Sequence, residues 1–218
     1  MFKAILYTQW KWTRLPLLVL VLAAFALPLL SARGANAASR DSWLIEEMLS
    51  SLQSWGLIYP LLAGAVGLIL ARTTWAADHQ GKHIYALSLP LPRWDYVLMR
   101  FGAGVILLAA PVLALWAGAL VATVATTLPP SLQAYPTILA LRFGLAALVA
   151  YGVIFAISAG TNKTAGYILA GLAGLVMVQL FLDAVGVETQ FLELLLTKLV
   201  LWPGPFEIFT GRWMLFDV

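Results

Sequence analysis

The chain has 218 residues, 62% of them hydrophobic and only 11% charged, with a net charge of +3 and a mean hydropathy of +0.91. That apolar share exceeds what a water-soluble domain carries, so lipid is the solvent to assume. No cysteine is present, which excludes disulfides, thiol chemistry and any cysteine-ligated zinc or haem.

Residues 1 to 14, MFKAILYTQWKWTR, mix Tyr7, Trp10 and Trp12 with Lys3, Lys11 and Arg14. Amphipathic rings beside basic groups suit the headgroup layer, so an amino-terminal interfacial helix is expected there. A first span is predicted over 15–31, with Pro16 and Pro28 near its ends. A basic start, an apolar run and Ala35–Asn36–Ala37 also describe a cleavable signal peptide, although the run is long for one.

Residues 32–53 are polar and end in WLIEEMLSSL, whose Trp43, Leu44, Met48 and Leu52 recur at near-helical spacing. A short helix lying on the membrane surface is expected. A second span is predicted over 54–75, with Ala63, Gly64 and Gly67 permitting close helix approach. After the patterned stretch 76–100, a third span covers 97–126. The uncharged break TLPPSLQAYP reads as a turn, and a fourth span follows at 137–159. A tight polar loop, GTNKTAG, leads to a fifth at 167–182. FLELLLTKLVLW, residues 191–202, is about half a span in length and reads as a surface or re-entrant helix. The expected fold is an all-α polytopic membrane protein forming a single transmembrane domain over 1–218. It has five clear spans, a sixth that is absent or short, and an extracytoplasmic tail over 185–218.

Charge sets the orientation. With the amino terminus in the cytoplasm, eight basic residues (Lys3, Lys11, Arg14, Arg72, Lys82, Arg93, Arg100 and Lys163) face only Asp78 and Asp95 inside, a net of +6. The outer segments then carry five basic and eight acidic residues, a net of −3, and the basic excess favours this topology.

The largest inner connection is 76–100. Gly81 breaks the extension of the second span, Pro90 and Pro92 stiffen an elbow, and Arg93 and Trp94 open the next helix at the membrane surface. On physical grounds alone this is either an anchored loop with snorkelling arginines or an apolar, basic knob offered to a partner. The run D-x-x-G-K-x-x-x-A-L-S-L-P-L-P-R-W-x-Y-V-L-x-R, from Asp78 to Arg100, resembles the loop between the second and third spans of type-2 ABC transporter permeases. The resemblance implies a coupling helix that docks on a cytoplasmic ATP-binding subunit through Asp78, Gly81, Lys82, Tyr85, Leu87, Leu89, Pro90 and Arg93. It also implies an ATP-driven exporter in a bacterial inner membrane, built with a second permease subunit that is either identical or different. ATP and magnesium would sit on the partner, and this chain would hold no cofactor. Family members usually have six spans, and the sixth is not visible here.

Other features carry less. His79 and His83 in HQGKH sit four apart, but Gln80 stands where the zinc-protease motif has its glutamate, and solvated loop histidines are the plainer reading. Arg142 and Asp183 lie near the outer ends of different spans and form a candidate gate pair, against the plainer reading of two snorkelling side chains. No phosphate loop or nucleophile elbow is present, and Glu46–Glu47 lack the arginine and histidines of an intramembrane protease. Two other function classes remain: an intramembrane enzyme acting on lipid or peptide, and a non-transporting scaffold that recruits a cytoplasmic partner. Nothing points to nucleic acid.

Overall fold

In the computed structural model, residues 1–38, 56–80, 92–126, 133–159, 204–211 and 213–217 are described, with isolated helical positions between 167 and 198. Four long helices dominate: α1 (Phe2–Ala38), α2 (Ile58–Gln80), α3 (Arg93–Ala125) and α4 (Pro136–Ser158). All four are long and apolar enough to cross a membrane. At 1.5 Å per residue, α2 and α4 measure about 35 Å, close to the roughly 30 Å of a hydrocarbon core, while α1 and α3 exceed it by about 20 Å or more.

The contacts fix the helix directions. Gln9 reaches Arg100 and Phe25 backs onto Gly118, so α1 and α3 run parallel. Thr13 bonds Thr73 and Ser31 bonds Tyr59, so α2 runs opposite to α1. Gly67 abuts Ala147 and Ala150 while Trp75 stacks on Phe155, which sets α4 parallel to α2. The α2–α3 connection therefore lies at the same end as the amino terminus, and the α3–α4 connection lies at the other.

The outward faces are apolar and exposed, among them Leu15, Leu18, Leu22, Leu61, Leu68, Leu113, Val121, Val124 and Leu141. The buried polar residues, Gln9, Thr13, Ser31, Thr74, Arg100 and Thr126, all face inward. This distribution suits a lipid solvent, in which only the protein interior can satisfy a polar group. Glycine sets the closest approaches. A Cβ built on Gly67 would lie 2.6 Å from Ala150 Cβ and 2.6 Å from the Tyr151 backbone nitrogen, and one on Gly118 would strike the Phe25 carbonyl.

Two sequence expectations are corrected. The interfacial segment 1–14, the first span and the polar residues to Ala38 form one unbroken helix of 37 residues. Pro16 and Pro28 lie inside it, removing hydrogen bonds to the Trp12 and Ala24 carbonyls without ending it. The extension of the second span toward Gly81 is present, since α2 continues through Gln80. The fold is not purely helical, because Gln133–Ala134 (β1) pairs antiparallel with Phe216–Asp217 (β2), and Tyr135 N–H donates to the Leu215 carbonyl at 3.0 Å. The tail is thus part of the core: Trp213, Leu215 and Phe216 are fully buried. Residues 39–53 of the expected surface segment 32–53 lie outside the described residues, as do the fifth span and the helix at 191–202 as continuous elements.

Replacing Gly67 with alanine forces α2 and α4 apart, and we expect a loss of about 1–3 kcal/mol in a detergent-denaturation series. Gly152→Ala, on the same interface helix but with nothing within 4 Å of the added carbon, should leave stability unchanged.

Candidate functional site

The connection between α2 and α3 is closed at its base by Arg100. This residue lies two turns into α3 and is 5% exposed. Its Nη1 donates to the Thr74 carbonyl of α2, and its Nε donates to Tyr96 Oη at 2.8 Å, one turn back on α3. The guanidinium carbon also stands 5.4 Å from the Trp75 ring centroid and 5.0 Å from that of Tyr96. An arginine can make these contacts together because its planar fork donates in-plane while its faces stack on rings; a lysine cannot. An ionised group held inside an apolar bundle persists only when its donors are engaged, so the clasp fixes Thr74 and Tyr96 relative to each other.

The other two helices join at the same level. The Gln9 amide nitrogen of α1 donates to the Arg100 carbonyl at 3.1 Å, and Thr13 Oγ1 donates to Thr73 Oγ1 at 3.2 Å. From α4, Tyr151 and Phe155 enter a ring cluster with Trp75 and Phe101. Trp75 and Phe155 have centroids 5.1 Å apart, and Phe101 lies 5.3 Å from both Tyr151 and Phe155. The Tyr151 hydroxyl donates to the Phe101 carbonyl at 3.3 Å and lies over Gly104, where any side chain would collide with it. All four helices therefore meet around the base of one connection. Among the described residues, Gln9 Oε1 and Trp75 Nε1 are buried there without a hydrogen-bond partner, a destabilising arrangement of about 1–3 kcal/mol per group.

Of the docking residues expected from sequence, Asp78 falls in the last turn of α2 and Arg93 is the first residue of α3. Gly81, Lys82, Tyr85, Leu87, Leu89 and Pro90 lie outside the described residues. The sequence marked Arg100 only as the end of a motif and as an inner charge. Its place between Thr74 and Trp75 depends on how two helices pair, although a lone arginine inside an apolar run was the available signal.

A second arginine organises the opposite end. Arg142, in the second turn of α4, donates from Nη2 to the Thr210 carbonyl and from Nε to the Ile208 carbonyl at 3.3 Å. Its guanidinium lies 4.8 Å over the Trp213 ring, and the Glu207 carboxylate acts on it electrostatically. Gly211 turns the chain around it at φ 81°, and a Cβ there would stand 3.2 Å from Arg142 Nη2. Asp183, the expected partner, lies outside the described residues. Arg142 thus holds the tail against the end of the bundle opposite Arg100.

Chemically, both arginine centres are hydrogen-bond and ring clusters. Among the described residues, no group of three or more histidine, aspartate or glutamate side chains is placed to hold a metal. Comparison with protein-family models, with curated proteins and with solved structures finds no match for this chain.

Two outcomes are expected. Arg100→Met and Arg100→Lys should both lower unfolding stability by about 1–3 kcal/mol, because either leaves the Thr74 and Tyr96 groups incompletely paired. Gly211→Ala should cost about 1–2 kcal/mol through its left-handed backbone, and should expose the tail to protease at lower temperature than in the native chain.

Proposed function

We propose that this chain is the membrane-spanning permease subunit of an ATP-driven ABC exporter, multi-pass in a bacterial inner membrane with its amino terminus in the cytoplasm. The stretch 76–100 is its docking element for a cytoplasmic ATP-binding subunit. ATP and magnesium belong to that partner, and a second permease subunit completes the path. The first turns of α1 stand at the level of the inner headgroups, and a fifth span follows α4.

The observation that carries this reading is the Arg100 clasp. A docking element moves a membrane domain only if force on it reaches the helices instead of bending a slack connection. Here the two helix ends that flank 81–91 are tied through Arg100 to Thr74, and the tie is joined to α1 by Gln9 and to α4 through the Trp75–Phe155 and Phe101–Tyr151 ring pairs. A displacement at the connection is thereby shared among four helices. The unpaired Gln9 Oε1 and Trp75 Nε1 narrow the free-energy gap between this packing and a rearranged one, which suits a joint that must move. The resemblance over Asp78 to Arg100 and the basic excess at the same end of the bundle support the same assignment.

The test is co-purification followed by ATP turnover in proteoliposomes. The native chain should retain an ATP-binding subunit and stimulate its turnover, and Arg93→Glu should reduce the stimulation at least ten-fold with membrane insertion intact. Undiminished stimulation in that variant would overturn the docking role. A partner that binds while no substrate moves under any nucleotide condition would favour the scaffold reading instead.

A further inference from the structure

A groove of about 330 Å³ runs between the first two turns of α1 and the middle of α3, lined by Lys3, Leu6, Tyr7, Trp10, Ile106 and Leu107. Its walls are almost wholly carbon. We propose that it seats one acyl chain of an anionic phospholipid, whose phosphate is held at the mouth by the Lys3 ammonium. The site stands on the apolar helices alone and needs no ATPase partner.

Three observations converge. First, the groove is built by a change in helix course. The Phe2 ring reaches Gly102 and the Gln9 amide reaches Arg100, so over the first two turns of α1 the contacts step back by two residues on α3 instead of advancing along it. From Gln9 to Phe25, sixteen residues of α1 match the eighteen from Arg100 to Gly118. The first two turns therefore cross α3, whereas the rest runs beside it, and the crossing opens a cleft toward lipid. Pro16, which leaves the Trp12 carbonyl without its helical donor, lies beside this change of course.

Second, the level is that of the headgroups. Tyr7, Trp10, Trp12 and Trp94 are all exposed at this end, and such a belt of amphipathic rings marks the interface between hydrocarbon and water. A chain entering the cleft from below would thus bring its glycerol and phosphate to the belt.

Third, the charge is complementary. Lys3 contributes its carbon stem to the groove wall, and a lysine so placed extends its ammonium toward the headgroup layer. A basic residue near an anionic surface favours binding by about five-fold. A zwitterionic lipid of the same chain length gains less, because its own cation competes for the phosphate.

The experiment is tryptophan quenching in the full-length protein, reconstituted in phosphatidylcholine vesicles. Phosphatidylglycerol or phosphatidylcholine with brominated acyl chains is added, and the Trp10 contribution is isolated by subtracting Trp10→Phe. We expect the brominated phosphatidylglycerol to quench Trp10 with about five-fold higher apparent affinity. Lys3→Gln should bring the two lipids level, Lys3→Arg should keep the preference, and Ile106→Phe should weaken quenching by both by filling the groove. Equal quenching by both lipids in the native chain, or a preference that survives Lys3→Gln, would overturn the phosphate site. Undiminished quenching in Ile106→Phe would overturn the acyl-chain seat.

Discussion

An arginine held inside an apolar bundle is the constraint from which the rest of this molecule can be understood. Its charge is tolerable only if its donors and faces are engaged, and Arg100 meets that demand with a backbone carbonyl on one helix, a phenol on another and two aromatic rings. Meeting it fixes the register of α2 against α3. The same register sets Phe101 and Trp75 against Phe155, and so locates α4. The hydrogen bond from Gln9 to the Arg100 carbonyl then sets the height of α1. Local charge satisfaction thereby becomes global geometry.

Away from the clasp, the helices are held by shape. In lipid an apolar side chain gains little by moving from a helix surface into a helix interface, so association relies on close contact and on interior polar bonds. Gly67 and Gly118 allow backbone to meet backbone, and the Ser31–Tyr59 and Thr13–Thr73 bonds fasten both ends of the α1–α2 pair. At the opposite end Arg142 repeats the logic of Arg100 with a different partner, a tail of irregular backbone whose carbonyls it caps. Among the described residues, the bundle thus has an arginine centre at each end, with mostly apolar and small side chains between them.

The sequence disclosed those features that are local in the chain. Long apolar windows marked five spans, four of which are the described helices α1 to α4, and Pro92 with Arg93 marked the start of α3. The errors have physical causes. Pro16 and Pro28 lie near the ends of the expected first span, yet the helix runs on past both, because inside apolar surroundings it persists on packing supplied by α2 and α3. The β1–β2 ribbon joins residues more than 80 positions apart, through pairs such as Ala134 and Phe216, and two-residue strands leave no periodicity to detect. The burial of Trp213 and Phe216 was hidden for the same reason, since a tail rich in glycine, proline and charge resembles a solvated end. Arg142 was flagged by its charge, whereas the Ile208 and Thr210 carbonyls that it binds belong to backbone, which sequence never distinguishes. Arg100 was seen as a cation and missed as a clasp.

The claim that Arg100 locks the connected ends of α2 and α3 together can be tested by distance measurement, and the absence of native cysteine makes site-specific labelling direct. Spin labels at the exposed positions Arg72 and Leu98 would report the clasped end, and a second pair at Leu61 and Val124 would report the opposite end. The account predicts narrow distance distributions for both pairs in the native chain. In Arg100→Met the first should broaden while the second stays narrow. A first pair that remains as narrow in Arg100→Met as in the native chain would contradict the account.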